Sequence, residues 1–216
     1  MNNLNVLMDS YEPKLTIDQF KDLHKDFITP LDICIPVNQF DEEIKQYHKY
    51  FRQWGPYHTN FPRYGLPLVN LSGNIDDEVD PSCMPLDVWC QLNPTEMYWE
   101  LDFDQPTEVM NLPSLAPLQT IQQYMRRSNI LWWNNTGHFK PHVDMVPEAI
   151  THLRLWGINK TSKDYYLKYG NQRITDIEPG RLYLIDTLSQ HEAFAVSNYV
   201  YTFFIAVTLD AIESII

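Results

Sequence analysis

The stretch EPGRLYLIDTLSQHEAFAVSNYVYTFFIAVTL (residues 178–209) decides the fold. It contains three runs typical of β-strands, at 181–186, 192–196 and 199–209. The tight turn Glu178-Pro179-Gly180 leads into the first run, and a short connection separates it from the second. The last run is long, apolar and rich in aromatic residues, as expected of a central strand in a jelly roll.

Five more strands are predicted upstream of this stretch, again separated by turn-forming residues. They are Ile130–Trp133, Phe139–Met145, His152–Ile158, Tyr165–Lys168 and Gln172–Ile177. Many short strands at this spacing indicate an antiparallel sandwich or barrel.

The first half of the chain mixes helices and strands. A capping box at Thr16 to Gln19 starts a helix that extends to about Phe27. Helices are also predicted at Asp41–Trp54 and Leu118–Arg127, and strands at 31–37 and 66–71. Residues 72–116 are rich in acidic residues and proline. They form either an irregular surface region with a short helix at Leu86–Leu92, or a lid over a site.

We divide the chain at residue 116, within one compact domain. Residues 1–116 form an N-terminal helical and extended region, which packs on the core and shapes the substrate side. Residues 117–216 form the core.

Composition excludes several classes of protein. The net charge of −12 and the pI near 4.9 argue against a nucleic-acid partner, since such a surface is normally basic. No run approaches 18 apolar residues, so no membrane span is expected. Three scattered cysteines and the lack of a signal-like start predict a cytoplasmic protein. The oligomeric state is left open.

The triplet His142-Val143-Asp144, followed by His191, is the strongest chemical signal. Alternating side chains on a strand would direct His142 and Asp144 to one face. Two imidazoles and one carboxylate form the facial triad that holds Fe(II) and leaves coordination positions open. We interpret these three residues as the metal-binding and catalytic set. His138 is interpreted as a loop residue near the site.

A charged residue on the inner face of a strand supports a ligand site beside the metal. In His152–Trp156 the alternation directs Arg154 inward and the leucines outward. A buried guanidinium is costly unless an anion contacts it, and a carboxylate fits it through two hydrogen bonds. We therefore predict that Arg154 binds the carboxylate of a co-substrate, with Tyr201 and Trp133 as further contacts.

This pattern resembles the Fe(II)- and 2-oxoglutarate-dependent oxygenase superfamily, and within it most closely the aspartyl/asparaginyl β-hydroxylase-like branch. The resemblance covers roughly residues 129–209, with a fainter similarity at residues 63–68. It implies a mainly β fold with flanking helices and a double-stranded β-helix core of the jelly-roll or cupin-like type. It also implies Fe(II) held by the triad, with 2-oxoglutarate as co-substrate.

The chain departs from that family at two points. Asp144 supplies a carboxylate ligand that the aspartyl β-hydroxylase type lacks. Many members also place an arginine about ten residues after the final histidine, whereas position 201 is tyrosine here and no Lys or Arg follows Arg181. Either Arg154 binds the distal carboxylate of 2-oxoglutarate with help from Tyr201, or the co-substrate assignment fails.

The predicted function is a dioxygenase that hydroxylates a C–H bond, either of an amino-acid residue in a peptide or protein or of a small metabolite. Two alternatives remain open from the sequence. One is a cupin-like metalloprotein that uses no 2-oxoglutarate and acts as an isomerase or hydrolase. The other is a catalytically silent binding module.

Overall fold

The computed structural model describes residues 14–24, 26–54, 63–144 and 150–216. Its helices are short. The α-helices are α1 (Ile17–Asp22), α2 (Val37–Glu43), α3 (Leu86–Leu92) and α4 (Ile212–Ile215). The 3₁₀ helices are Ile44–Tyr50, Pro81–Cys83, Glu100–Asp102, Glu108–Asn111, Pro113–Thr120, Gln122–Tyr124 and Leu209–Ala211.

Strands make up most of the regular structure. In the first half they are β1 (Ile28–Cys34), β2 (Arg52–Gln53), β3 (Arg63–Asn70) and β4 (Gln105–Pro106). In the second half they are β5 (Met125–Trp133), β6 (Gly137–His142), β7 (His152–Ile158), β8 (Tyr165–Tyr169), β9 (Gln172–Arg173), β10 (Arg181–Ile185), β11 (His191–Ala195) and β12 (Val200–Thr208).

The strands form two antiparallel sheets. The larger sheet has the order β1-β10-β7-β12-β5-β3-β2, with β4 beside β3, and the smaller sheet has the order β6-β11-β8-β9. From β5 onward the chain passes repeatedly from one sheet to the other, so that β5, β7, β10 and β12 lie in the larger sheet while β6, β8 and β11 lie in the smaller. This winding is a double-stranded β-helix, and it confirms the predicted mainly β fold with flanking helices.

The two faces of the larger sheet pack against different partners. Leu153 and Leu155 on β7 belong to the outer core, together with residues of the N-terminal helices. Trp156 on the same strand belongs to the inner core, which joins the larger sheet to the smaller one. Every residue of β7 is buried, because both of its faces are covered. The predicted alternation along this strand is confirmed.

N-terminal segments complete the larger sheet and cover its outer face. β1 pairs with β10, and β3 pairs with β5. Phe20 of α1 and Phe40 of α2 are fully buried in the outer core. The capping box predicted at Thr16 and Gln19 is present at the start of α1, with both hydrogen bonds formed.

The turn before β10 requires glycine. Gly180 has φ +84°, a conformation that side chains rarely adopt, and a Cβ there would overlap the carbonyl oxygen of Ile35. The Gly180 carbonyl accepts a hydrogen bond from the Ile35 N–H, which follows β1, so the turn fixes β1 against β10.

Three helix predictions differ from the structure. The helix predicted to extend to about Phe27 ends at Asp22, and β1 begins at Ile28. The segment predicted as one helix at Asp41–Trp54 continues from α2 as a 3₁₀ helix and then enters β2. The helix predicted at Leu118–Arg127 is wrong, since 3₁₀ turns lead directly into β5 at Met125. Pairing with β3 and β12 takes up residues 125–129, and this overrides the local helical spacing.

The short helix predicted at Leu86–Leu92 is confirmed. No helix within the described ranges has the length and apolar character needed to span a bilayer.

Candidate metal centre

Strands β6 and β11 bring two distant histidines together. They pair antiparallel in the smaller sheet with His142 directly opposite His191, and the centroids of the two imidazole rings lie 4.4 Å apart. Asp144 follows two residues after His142. One potential ligand atom from each of the three residues lies within 4.8 Å of the others. The structure thus collects the three residues that the sequence analysis selected.

Asp144 reaches this position differently from the prediction. β6 ends at His142, and Asp144 lies in a bend beyond the strand, where its N–H donates to the Thr187 carbonyl at 3.2 Å. The bend, rather than strand alternation, directs the carboxylate toward the histidines. The predicted strand continued to Met145, which lies outside the described residues.

Backbone hydrogen bonds fix the orientation of both imidazoles. His142 Nδ1 lies 2.8 Å from the Lys140 carbonyl oxygen, and His191 Nδ1 lies 3.0 Å from the Ser189 carbonyl oxygen. A carbonyl oxygen only accepts, so each Nδ1 carries the hydrogen. The opposite atom of each ring, Nε2, is therefore the one available as a ligand.

Both Nε2 atoms point toward one carboxylate. His142 Nε2 lies 3.2 Å from Asp144 Oδ1, and His191 Nε2 lies 3.5 Å from Asp144 Oδ2. With Nδ1 protonated, a neutral ring would place a lone pair against an anion. The arrangement is favourable only with a cation among these atoms, either a proton on Nε2 or a metal ion.

The protonation of the cluster follows from this geometry. Burial raises the pKa of Asp144, but hydrogen bonds to His142 and His191 outweigh it and leave the pKa well below its usual value. Burial lowers the pKa of His191, yet the hydrogen bond to Asp144 and its charge raise it overall. The side chain of Asp144 is 19% exposed and that of His191 is 4% exposed. The carboxylate is thus ionised at neutral pH and reachable from outside.

The three residues line a cavity of about 560 Å³ between the two sheets. Several aromatic side chains line it, among them Trp54, Trp99, Trp133, Trp156, Phe139 and Phe204. Three exposed lining residues, Asp87, Val143 and Asp144, mark its rim. Residues 85–88 and 99–100 contribute to one wall, so part of the acidic, proline-rich segment 72–116 shapes this cavity.

A buried charged cluster occupies the same wall. Arg127 donates to Glu100 Oε1 at 2.7 Å, to the Ser82 carbonyl at 3.0 Å and to the Met84 carbonyl. Burial raises the pKa of Glu100, but the charges of Arg127 and Arg154 outweigh it and lower the pKa to about 2. Glu100 is therefore ionised, and Arg127 has partners for each of its three nitrogens.

Arg154 faces the cavity as predicted, and it is less completely paired than Arg127. Its Nη2 lies 3.1 Å from Glu100 Oε2 without hydrogen-bond geometry, and 3.5 Å from His152 Nε2. Its Nε and Nη1 are buried and form no hydrogen bond with the part of the chain that the structure describes. The guanidinium lies 4.1 Å from the centre of the Phe204 ring.

The other two predicted co-substrate contacts, Trp133 and Tyr201, lie on opposite faces of the larger sheet. Trp133 is buried and lines the cavity. Tyr201 lies on the opposite face of the sheet, in the outer core, where its hydroxyl is 2.6 Å from His48 Nε2. Tyr201 does not line the cavity, because its neighbour Thr202 occupies the inward position on β12. The assistance to Arg154 expected of Tyr201 is therefore not part of our proposal.

His138 stays outside the metal cluster. Its Nε2 bonds Glu192 Oε2 at 2.7 Å, and its side chain is 42% exposed.

Arg63, Glu100 and Arg127 also line the cavity, and the sequence analysis missed them. Arg63 had an available signal, because it begins a strand-like run and an inward arginine on such a strand is unusual. Glu100 and Arg127 had none, since one lies in an irregular segment and the other in the segment assigned as a helix.

No family model matches the chain, and no curated protein sequence matches it. Among solved structures, it is similar to a prolyl hydroxylase in complex with a hypoxia inducible factor oxygen degradation domain peptide fragment from Trichoplax adhaerens. The identity is 14%, 90% of this chain and 89% of that chain are covered, and the TM-score is 0.45.

Two further structures show a comparable likeness. A prolyl-4-hydroxylase from Pseudomonas putida is 8% identical, with 88% of this chain and 95% of that chain covered and a TM-score of 0.43. A bsmA homolog from Methylobium petroleophilum is 9% identical, with 91% of this chain and 94% of that chain covered and a TM-score of 0.41. The fold assignment above rests on the strand order and not on these likenesses.

Proposed function

We propose that the protein is an Fe(II)- and 2-oxoglutarate-dependent dioxygenase that hydroxylates a C–H bond. The observation that carries this proposal is the orientation of two imidazoles, each fixed by a backbone carbonyl so that Nε2 points toward one ionised carboxylate. Two nitrogens and one oxygen on one side of an ion form the donor set of non-haem iron oxygenases.

The donor set fits a divalent ion with open coordination positions. His142, Asp144 and His191 would hold it, and the cavity beside them leaves room for a co-substrate and a substrate. Iron bound there would supply the activation of O₂ that couples decarboxylation of 2-oxoglutarate to oxidation of the substrate. The chain itself binds and orients the reactants.

Buried arginines support an acidic co-substrate. Arg154 is the residue selected from the sequence, and Arg63 lines the same cavity. Both are more than nine-tenths buried, and a buried guanidinium is stabilised by a carboxylate through paired hydrogen bonds. The aromatic side chains in the lining make the surroundings of these charges less polar, and charge interactions are stronger in less polar surroundings.

The substrate would approach along the wall that carries α3 and Glu100. An amino-acid residue of a peptide or a small metabolite fits a cavity of this size, and the choice between them is open. The aspartyl/asparaginyl β-hydroxylase-like branch remains a prediction from the sequence motifs.

The proposal is tested by formation of succinate from 2-oxoglutarate. Purified protein should release succinate slowly in the presence of Fe(II), O₂ and 2-oxoglutarate, even without substrate, and His191→Ala should abolish this release. His138→Ala is the matched control, since its imidazole lies on a neighbouring strand position outside the triad. Absence of succinate with a panel of amino acids and peptides, together with tight binding of a divalent metal, would favour the cupin-like alternative. Absence of metal binding would favour the silent module.

A further inference from the structure

Arg63, the first residue of β3, is a buried cation that forms no ion pair with any carboxylate in the described part of the chain. The residue is 6% exposed. Its guanidinium contacts aromatic rings, lying 3.9 Å from the centre of Phe139, 5.0 Å from Trp54 and 5.7 Å from Trp133. It forms no ion pair and no hydrogen bond with any described residue, and its buried Nε has no acceptor.

Such a group is costly to bury. Burial lowers the pKa of Arg63 to about 10, so the side chain remains charged at neutral pH. Contacts with aromatic faces offset only part of the cost of removing a charge from water. Arg127, by comparison, has Glu100 and two backbone carbonyls as partners in the same cavity. Arg63 has no such hydrogen bonds to any described residue.

The position of Arg63 relates it directly to the metal centre. It lines the cavity that contains the triad. Phe139 contacts both Arg63 and the triad, with its ring 3.9 Å from the Arg63 guanidinium and 4.2 Å from the centroid of the His142 ring. The cation and His142, the first of the proposed metal ligands, therefore contact the same aromatic ring. An extended diacid with one end at the metal could place its other end at Arg63.

Strand pairing shows that Arg63 brings a positive charge to a part of the sheet where β12 has none. Thr202, on β12, points into the cavity and pairs with Leu131 of β5, which in turn pairs with Gly65 of β3. No Lys or Arg follows Arg181 in the chain, so β12 provides no positive charge. Arg63, two residues before Gly65, brings one to this part of the sheet from two strands away.

We propose that Arg63 binds an anionic ligand in the cavity, and that this ligand is the distal carboxylate of the 2-oxo diacid co-substrate. The inference rests on the proposed function. It assigns to Arg63 the role that the sequence analysis gave to Arg154. Arg154 already shares Glu100 with Arg127, whereas Arg63 forms no ion pair with a described carboxylate and is affected only through space by the charge of Asp144.

The test compares two ligands that differ only at the distal end. Protein loaded with Mn(II), a redox-stable substitute for Fe(II), is titrated by calorimetry with 2-oxoglutarate and with 2-oxobutyrate, which lacks the distal carboxylate. The variants are Arg63→Met, Arg63→Lys and Arg154→Met. Arg173→Met is the control, because its guanidinium lies over Tyr166, outside the cavity.

Wild-type protein should prefer 2-oxoglutarate. Arg63→Met should lower the affinity for 2-oxoglutarate by about tenfold or more, as expected for loss of a hydrogen bond between charged groups. The affinity for 2-oxobutyrate should change less than about twofold in the same variant, given that it makes no such bond. Arg63→Lys should retain part of the preference and Arg173→Met should retain it fully, whereas Arg154→Met should weaken it less than Arg63→Met does. The ratio of the affinities for 2-oxoglutarate and 2-oxobutyrate does not depend on the fraction of folded protein. If Arg63→Met does not fold, the comparison is made with Arg63→Lys.

Three outcomes would overturn the inference. The preference for 2-oxoglutarate could survive in both Arg63 variants, it could disappear in Arg154→Met instead, or Arg63→Met could weaken both ligands equally, which indicates a structural role. In each case wild-type binding of 2-oxoglutarate would leave the proposed function intact. If wild-type protein binds metal but neither 2-oxo acid, the proposed function fails and the assignment of Arg63 fails with it.

Discussion

The outer and inner faces of the larger sheet differ in their chemistry, although the same strands supply both. On β7, Leu153 and Leu155 face outward into an apolar core covered by the N-terminal helices. Arg154 faces inward, beside the buried carboxylate of Glu100. The outer face is what a stable fold requires. The inner face carries buried charges that stability alone would not favour.

This difference locates function on the inner face. Apolar burial contributes to folding wherever it occurs, whereas an arginine without a carboxylate costs free energy until a ligand binds. Two inward arginines, Arg63 and Arg154, lie in one cavity with the triad and have buried nitrogens that form no hydrogen bond with described residues. We therefore expect substitutions on the inner face to change mainly ligand binding, and substitutions on the outer face to change mainly the free energy of unfolding.

The largest effect is expected at the triad. Asp144→Ala removes the only carboxylate among the three proposed ligands, and affinity for Mn(II) or Fe(II) should fall by more than about 100-fold, the upper range seen when only a supporting residue is lost. The free energy of unfolding without metal should fall by only about 1–2 kcal/mol, because the partly exposed carboxylate loses its contacts with the two histidines. Calorimetry and urea unfolding measure the two quantities.

His138→Ala is the control for this experiment and should leave the metal affinity unchanged. Equal loss of metal affinity in both variants would mean that the ion binds elsewhere.

The opposite pattern is expected on the outer face. Leu155 is fully buried between β10 and β12. Leu155→Ala should lower the free energy of unfolding by about 2–5 kcal/mol because it leaves a cavity in the core. The affinity of the folded protein for metal should stay within about threefold of wild type. A loss of metal affinity without a loss of stability would contradict the separation of the two faces.

A smaller effect, dependent on pH, is expected at His152. Burial and the charge of Arg154 lower the pKa of His152 to about 4, below the value near 6.5 of an unfolded chain. Between these values the unfolded state binds a proton that the folded state does not, so stability falls as the pH decreases through this window. The residue should account for about 2 kcal/mol of the loss between pH 7 and pH 5.

His152→Gln removes this titrating group while keeping a polar side chain. Urea unfolding of both proteins at pH 7 and pH 5 isolates the contribution of His152 from that of His191, whose raised pKa acts in the opposite direction. An identical pH dependence in the two proteins would refute the assignment.

Much of the core could be predicted from the sequence because its signals are local. Alternation along 152–156 placed Arg154 and the leucines on the correct faces. The spacing of turns gave the series of strands. The triplet at 142–144 and His191 were selected because their side chains form a known donor set, and pairing of β6 with β11 brings them together.

The remaining features depend on contacts between segments distant in sequence. Residues 125–127 have helical spacing, but pairing with β3 and β12 makes them a strand. The partnership of Arg127 with Glu100 joins that strand to an irregular segment 27 residues earlier. Asp144 reaches the histidines through a bend, which the alternation rule does not describe. Local patterns carry no information about such contacts.

Anaerobic titration of the Fe(II) protein with 2-oxoglutarate tests the central claim most directly. If His142, Asp144 and His191 hold iron with open positions, chelation of the 2-oxo acid should produce a visible charge-transfer band that saturates at one equivalent and is absent in His191→Ala. A protein that binds iron through these residues but shows no band would contradict the account, as would an undiminished band in His191→Ala.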